Sequence, residues 1–456
     1  MRSESSKKYL VYLMVLALIV SIPAVYIRLH FCVQEASPLV IEEITGTYGY
    51  ATDREGNKIY GVDGCAYNEF YNLVDGTLAN GGVVSEFTLV HHFGSQMVPK
   101  RVSVLMGTDP GEVAADGSQM KTTLIPGEGL EKLRKAFGTY EGTVFAFNYK
   151  TGEVYVMLSL PSLSPDKGRG GQSKNENLGT FMPGSCFKIV TTACALAQNP
   201  ELADFTYTCT GEHELADGSK VTCGYVHGGP LTMRDAIGKS CNCMFAALIG
   251  QLDVDETQKI LLDMGIYNRE EGEKLPKEKI DRITREVTST VFNYNDRHDD
   301  VWSMIGEVDT TANMVELASL AGAIVNGGSS AEPYLVESIF DPNRDLDVYT
   351  AKRGDMQELV DAQAAQTTAG LWSEATEGYY RSGKNKLDTR ITHGKTGTSE
   401  IGERNNRLVL GVMEDYHTAF VVVVKELPAG DPLMIGIANV LATLIPAPAE
   451  GAATTP

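Results

Sequence analysis

The chain has 456 residues, 39 Lys and Arg against 59 Asp and Glu, and a formal net charge of −20. That balance excludes a nucleic-acid partner bound through its phosphates, and a protein held on anionic lipid by charge alone. A hydrophobic content of 43% excludes wholesale disorder, and eight cysteines are too few for a disulfide scaffold, so a core-forming chain of roughly two or three domains is expected.

Residues 1–8 carry Arg2, Lys7 and Lys8 and precede an uncharged apolar run at 9–27 (YLVYLMVLALIVSIPAVYI). A helix of that length is about enough to cross a ~30 Å hydrocarbon core. After Arg28 no Lys or Arg occurs until Arg54. The basic residues before the run therefore predict a cytoplasmic N-terminus, a single-pass anchor in the cell membrane and an extracytoplasmic remainder. Residues 28–120 are expected to form a small β-rich, membrane-proximal pedestal, with Asp53-Arg54-Glu55-Gly56-Asn57 as a hairpin turn.

From Thr122 to Ile125 the pattern predicts a strand, and Leu130, Leu133 and Phe137 mark one face of a short helix. Two apolar runs, 144–147 and 154–158, flank Asn148-Tyr149-Lys150-Thr151-Gly152 and predict a β-hairpin. Residues 161–180 have loop composition. Phe187 to Gln198 is apolar on nearly all sides, as a helix buried in a domain centre must be. Met314 to Val325 predicts another helix, stopped by Asn326-Gly327-Gly328. Phe420 to Val424 suits a central strand, and residues 446–456 are expected to be disordered.

Three short patterns carry chemistry. Ser185-Cys186-Phe187-Lys188 opens the buried helix, where positions i and i+3 share a face and bring the Lys188 amine to the Ser185 hydroxyl. A serine becomes a nucleophile when a base takes its proton, and a lysine can be that base once burial or a neighbouring cation lowers its pKa. Ser240-Cys241-Asn242 follows an apparent helix and offers a hydroxyl and an amide two residues apart. Lys395-Thr396-Gly397-Thr398 has strand context, where a cation and two hydroxyls can hold a carboxylate and Gly397 permits close backbone approach. The same patterns recur elsewhere, at Ser5–Lys8, Ser164–Lys167, Ser173–Asn175 and Lys150–Gly152, but only 185, 240 and 395 stand in order within one exported domain.

The ordered triple S-x-x-K, S-x-N, K-T-G resembles the penicillin-binding protein transpeptidase family. The likeness extends to Gly142–Phe147 before a K-T-G-E hairpin, Met182-Pro183-Gly184 before the serine, His227-Gly228 upstream of Ser240, and Pro333-Tyr334-Leu335-Val336 after Asn326-Gly327-Gly328. It is similar to the monofunctional class B members, especially the short type found in mycobacteria.

The resemblance implies an α+β transpeptidase domain over residues 121–445, an antiparallel sheet packed with helices. It implies a D,D-transpeptidase that cross-links D-Ala-D-Ala stem peptides through an acyl-enzyme and is acylated by β-lactams. Ser185 would be the nucleophile, Lys188 its base, Ser240 the proton shuttle to the leaving D-alanine and Asn242 a holder of the substrate amide. Lys395 would supply positive charge, Thr396 and Thr398 would bind the terminal carboxylate beside Gly397, and the Ser185 and Thr398 N–H groups would form the oxyanion hole. It also implies a polytopic membrane glycosyltransferase as partner.

A serine β-lactamase or D,D-carboxypeptidase would share the motifs. A non-catalytic penicillin-binding scaffold or a β-lactam sensor is the reading from another class. Glu307, Asn313-Met314, Leu408-Val409 and Cys186 depart from the usual family residues and bear on substrate preference.

Cys209 and Cys223, on the exported side, are a candidate disulfide. Cys186, Cys194, Cys241 and Cys243 read as small buried residues. His213, His227, His298, His393 and His417 show no ligand spacing with them, so neither a metal nor a cofactor is expected.

Overall fold

The computed structural model describes residues 50–60, 119–160, 177, 179–266, 297–308, 310–401 and 404–448. The apolar run at 9–27, most of the expected pedestal, the loop up to residue 176 and the tail from 449 lie outside the described residues. Among the described residues no helix is long and apolar enough to cross a membrane.

The chain enters through strands β1 (Tyr50–Thr52) and β2 (Lys58–Tyr60), paired antiparallel across the expected turn. The buried Asp53 carboxylate closes that turn by accepting the N–H groups of Glu55 at 2.9 Å and Asn57 at 3.0 Å. The next strand, β3 (Gln119–Thr122), lies earlier than the predicted 122–125. Beyond Thr122 the chain leaves the sheet, and the Thr123 and Ile125 N–H groups bond instead to the carbonyls of Leu335 and Tyr155.

Helix α1 (Gly127–Phe137) buries Leu130, Leu133 and Phe137 on one face, as their spacing requires. The hairpin of β4 (Gly142–Asn148) and β5 (Val154–Leu160) follows, every residue of both strands buried. A 3₁₀ turn at Gly184–Cys186 leads into α2 (Lys188–Gln198), buried continuously from Lys188 to Leu196.

Four short strands come next: β6 (Tyr207–Cys209), β7 (Glu212–Glu214), β8 (Lys220–Thr222) and β9 (Gly228–Leu231). They form two small ribbons, β6 with β9 and β7 with β8. Helix α3 (Met233–Lys239) starts at a Thr232–Asp235 capping box, and α4 (Asn242–Ile249) begins two residues after α3 ends. Helix α5 (Met314–Val325) has the predicted bounds and stops where Gly327 and Gly328 take φ of 69° and 104°.

Strands β10 (Val336–Asp341) and β11 (Leu346–Thr350) complete a five-stranded sheet in the order β11-β10-β3-β1-β2. Helix α6 (Ala362–Tyr379) precedes β12 (His393–Ile401), β13 (Arg404–Met413) and β14 (Thr418–Val424), and α7 (Leu433–Leu444) ends the described chain.

The second five-stranded sheet, antiparallel throughout, runs β12-β13-β14-β4-β5. Its middle strand β14 is the predicted apolar run, and every residue of it is buried. Burial of both faces requires two helical layers: α5 covers β13, β14 and β4, while α7 and α1 pack together against β13, β14 and β5. Helix α6 spans α2, α3 and β12, so three elements that bear the chemical motifs share one helix as their support. β12 is an edge strand, with one side of its backbone free to meet the turn at Gly184–Cys186.

Gly411 on β13 stands opposite Phe420 on β14, and a side chain at 411 would overlap the Phe420 ring. That ring is fully buried and fills the gap in the sheet's middle. Phe420→Ala should therefore cost about 3–5 kcal/mol in urea denaturation.

Candidate active site

Lys188 is wholly buried at the start of α2. Its Nζ stands 3.0 Å from Ser185 Oγ, 3.0 Å from the Ser240 carbonyl oxygen, 3.2 Å from Ser240 Oγ and 2.6 Å from Asn242 Oδ1. Burial lowers the pKa of this amine to about 7, with the nearby charge of Lys395 acting in the same direction. A neutral amine has two hydrogens and one lone pair. The Ser240 carbonyl and Asn242 Oδ1 can only accept, so they take the hydrogens and leave the lone pair for the Ser185 hydroxyl.

Lys395 Nζ, also fully buried, donates to Ser240 Oγ at 3.0 Å and to the Thr396 carbonyl at 2.8 Å. Ser240 Oγ thus bridges the two lysines. Ser240 itself sits at φ 56°, ψ 42°, a left-handed conformation uncommon outside glycine, at the end of α3. That twist lets α3 stop and α4 start within two residues, and it turns both Ser240 and Asn242 toward Lys188. The Asn242 amide is engaged at both ends, since its Nδ2 donates to the Thr222 carbonyl at 3.0 Å.

The nucleophile turn and β12 touch backbone to backbone. Gly184 has φ of 51°, and a Cβ there would collide with the Thr398 carbonyl. A Cβ at Gly397 would press on the Pro183 carbonyl and Cys186 Sγ, so this glycine is required by close approach. The Cys186 thiol donates to the Lys395 carbonyl at 3.3 Å and ties the same two segments. Burial pushes that thiol up to about 11, so it is a tie and not a second nucleophile.

The seven residues Ser185, Lys188, Ser240, Asn242, Lys395, Thr396 and Thr398, with Gly397, are thus brought around one cleft. The structure adds two that the motifs do not contain. Arg407 lies opposite Thr398 in the β12–β13 register, and its Nη1 donates to Thr398 Oγ1 at 2.7 Å. Tyr380, just past α6, shares a hydrogen bond with Thr396 Oγ1 at 3.1 Å. A cation directly before the apolar Leu408-Val409-Leu410 is a faint signal for Arg407. Nothing in the sequence marks Tyr380.

The cysteines differ from expectation. Cys209 and Cys223 are adjacent but are free thiols, their sulfurs 3.9 Å apart, so the expected disulfide is not formed in this structure. Cys241 is buried as expected, yet its sulfur lies 3.8 Å from that of Cys223, and His227 Nδ1 lies 3.3 Å from Cys209 Sγ. All four donor atoms fall within 4.8 Å of one another. Cys223 and His227 share the loop between β8 and β9, while Cys209 and Cys241 are brought to them only by the fold.

Comparison with known proteins agrees with this geometry. The family model described as the penicillin binding protein transpeptidase domain matches residues 142–431. Peptidoglycan D,D-transpeptidase PbpA of Mycobacterium tuberculosis is 25% identical over 319 residues, covering 63% of this chain and 61% of that protein. The chain thus matches under two thirds of that relative's length. Stage V sporulation protein D of Bacillus subtilis is 25% identical over 274 residues, covering 55% of this chain and 40% of its own length.

Among solved structures, the ceftriaxone acyl-enzyme of penicillin-binding protein A from M. tuberculosis superposes with a TM-score of 0.66 at 19% identity, covering 89% of this chain and 99% of that one. The D,D-transpeptidase domain of a peptidoglycan glycosyltransferase from Eggerthella lenta gives the same TM-score at 19% identity, over 87% of this chain and 98% of that one. These likenesses establish a shared α+β fold.

The contact between Gly184 and Thr398 is testable by adding one carbon. Gly184→Ala should destabilise the chain by about 1–3 kcal/mol in urea denaturation. Gly436→Ala, on α7 with open space around it, should be neutral or slightly stabilising in the same assay.

Proposed function

Because the chain belongs to the penicillin-binding protein transpeptidase family, we propose that it is a D,D-transpeptidase that cross-links peptidoglycan stem peptides through an ester on Ser185. The observation that carries this reading is the buried Lys188 amine, 3.0 Å from Ser185 Oγ and with a pKa near 7. A base of that kind is half neutral at physiological pH, as general-base catalysis needs.

In the acylation step Ser185 Oγ bonds to the carbonyl carbon of the penultimate D-alanine, and its proton passes to Lys188. The C–N bond to the terminal D-alanine breaks, and its nitrogen takes a proton through Ser240, which stands between both lysines. In the second step an amine of a neighbouring stem attacks the ester carbon, the C–O bond breaks, and Ser185 recovers a proton. Asn242 is a positioning residue for Lys188, held by Thr222 from behind. The backbone N–H groups of Ser185 and Thr398 are the proposed oxyanion donors, each worth roughly 3–4 kcal/mol by analogy with other acyl-transfer sites.

The terminal carboxylate is met by Thr396, Thr398 and the charge of Lys395. Arg407 adds a second cation behind Thr398, and its buried Nε has no hydrogen-bond partner among the described residues. β-Lactams, which present a strained amide and a carboxylate in the same relation, acylate the same serine in this reading.

The basic residues before the apolar run at 9–27 support a membrane anchor with the catalytic domain outside; a polytopic membrane glycosyltransferase partner rests on family analogy alone. The short pedestal and single anchor favour the class B type.

Fluorescent penicillin should label the wild type, with the added mass on the peptide that contains Ser185. Ser185→Ala should slow labelling at least about a thousandfold. Equal labelling of both would refute the site. Rapid penicillin turnover in place of a retained adduct would make the chain a β-lactamase.

A further inference from the structure

We propose that Cys209, Cys223, His227 and Cys241 bind one tetrahedral Zn²⁺ ion, which fixes the Ser240–Asn242 turn to the ribbons behind it. At Zn–S of about 2.3 Å and Zn–N of about 2.0–2.1 Å, tetrahedral angles place two sulfurs about 3.8 Å apart and a sulfur and a nitrogen about 3.6 Å apart. The observed separations are 3.9 Å for Cys209–Cys223, 3.8 Å for Cys223–Cys241 and 3.3 Å for Cys209–His227 Nδ1. No atom needs to move by more than a few tenths of an ångström along these edges.

Donor chemistry selects the metal class. Three thiols and an imidazole are a soft set that suits zinc and disfavours magnesium or calcium. Without a cation, three neighbouring thiols cannot all ionise. Binding Zn²⁺ converts the thiols to thiolates, releases their protons to solvent and leaves one net negative charge on the cluster.

Two backbone N–H groups already point at the sulfurs, from Cys243 to Cys223 Sγ and from Met244 to Cys241 Sγ, both at 3.4 Å. They belong to the first turn of α4, where helix polarity favours an anion. The Cys209 sulfur is the one hydrogen-bond partner His227 has among the described residues. Its Nε2 has none, and the ring lies against Tyr225 at 4.3 Å between centroids with the planes tilted by 51°.

Position explains the use. Cys209 ends β6, Cys223 follows β8, His227 precedes β9 and Cys241 caps α4. Two-stranded ribbons are marginal alone, and small structures of that kind need a staple. Here the staple would seize the residue between Ser240 and Asn242. It would hold Ser240 in its left-handed conformation and keep Thr222 beneath the Asn242 amide. The ion is structural in this account, since four protein ligands leave no open position for substrate.

The test uses the full chain purified in detergent without chelator, with metal measured by mass spectrometry and Co²⁺ exchanged for the bound ion. About one zinc per chain is expected, and the Co²⁺ form should show sulfur-to-cobalt charge transfer and intense tetrahedral d–d bands. Cys209→Ser and His227→Ala should lose most of the metal and those bands, and Cys243→Ser, outside the tetrad, should keep them. Removing the metal should lower the thermal midpoint of the wild type. Metal well below stoichiometric, retention of the tetrahedral spectrum in His227→Ala, loss in Cys243→Ser, or a Cys209–Cys223 disulfide in the purified chain would each overturn the proposal.

Discussion

The site depends on one constraint: the Lys188 amine is buried among oxygens and close to a second lysine. Ser240 Oγ lies 3.2 Å from one amine and 3.0 Å from the other. Two unit charges at most about 6 Å apart repel by at least about 3 kcal/mol at an effective dielectric near 20, and desolvation adds to that cost. The relief is for one of them to be neutral, and Lys188, aimed at Ser185, is the one whose pKa falls. Everything that buries α2 therefore serves the chemistry. Helices α5 and α6 pack on it, and α6 joins α2 to α3 and β12, so the three motifs cannot drift apart.

The acidity of the chain sharpens the same point. A net charge of −20 would repel a carboxylate at long range, yet Lys395 and Arg407 are gathered along one cleft. At contact distances local charge outweighs a distant surface screened over about 10 Å. The sign of the cleft is set by two cations whose placement follows from the fold, independently of the composition.

Legibility in the sequence followed the range of the interaction. The S-x-x-K pair could be read because i and i+3 share a helix face whatever the rest does. Helix Met314–Val325 and the apolar β14 could be read because periodicity and terminators are local. Arg407 could not, since its place opposite Thr398 needs the register of a hairpin. Strand β3 was displaced because Thr123 and Ile125 found partners on distant segments. The tetrad was hidden for the same reason: Cys223 and His227 share one loop, but Cys209 and Cys241 reach them only through tertiary packing.

The most direct test is the pH dependence of Ser185 acylation by penicillin, followed by stopped flow on the full chain. A neutral Lys188 is the active form, so the rate should climb as pH rises through about 7 and then level off. A rate that is flat across neutral pH, or that climbs only in the range of an ordinary lysine near ~10.4, would show that Lys188 is not the buried base described here.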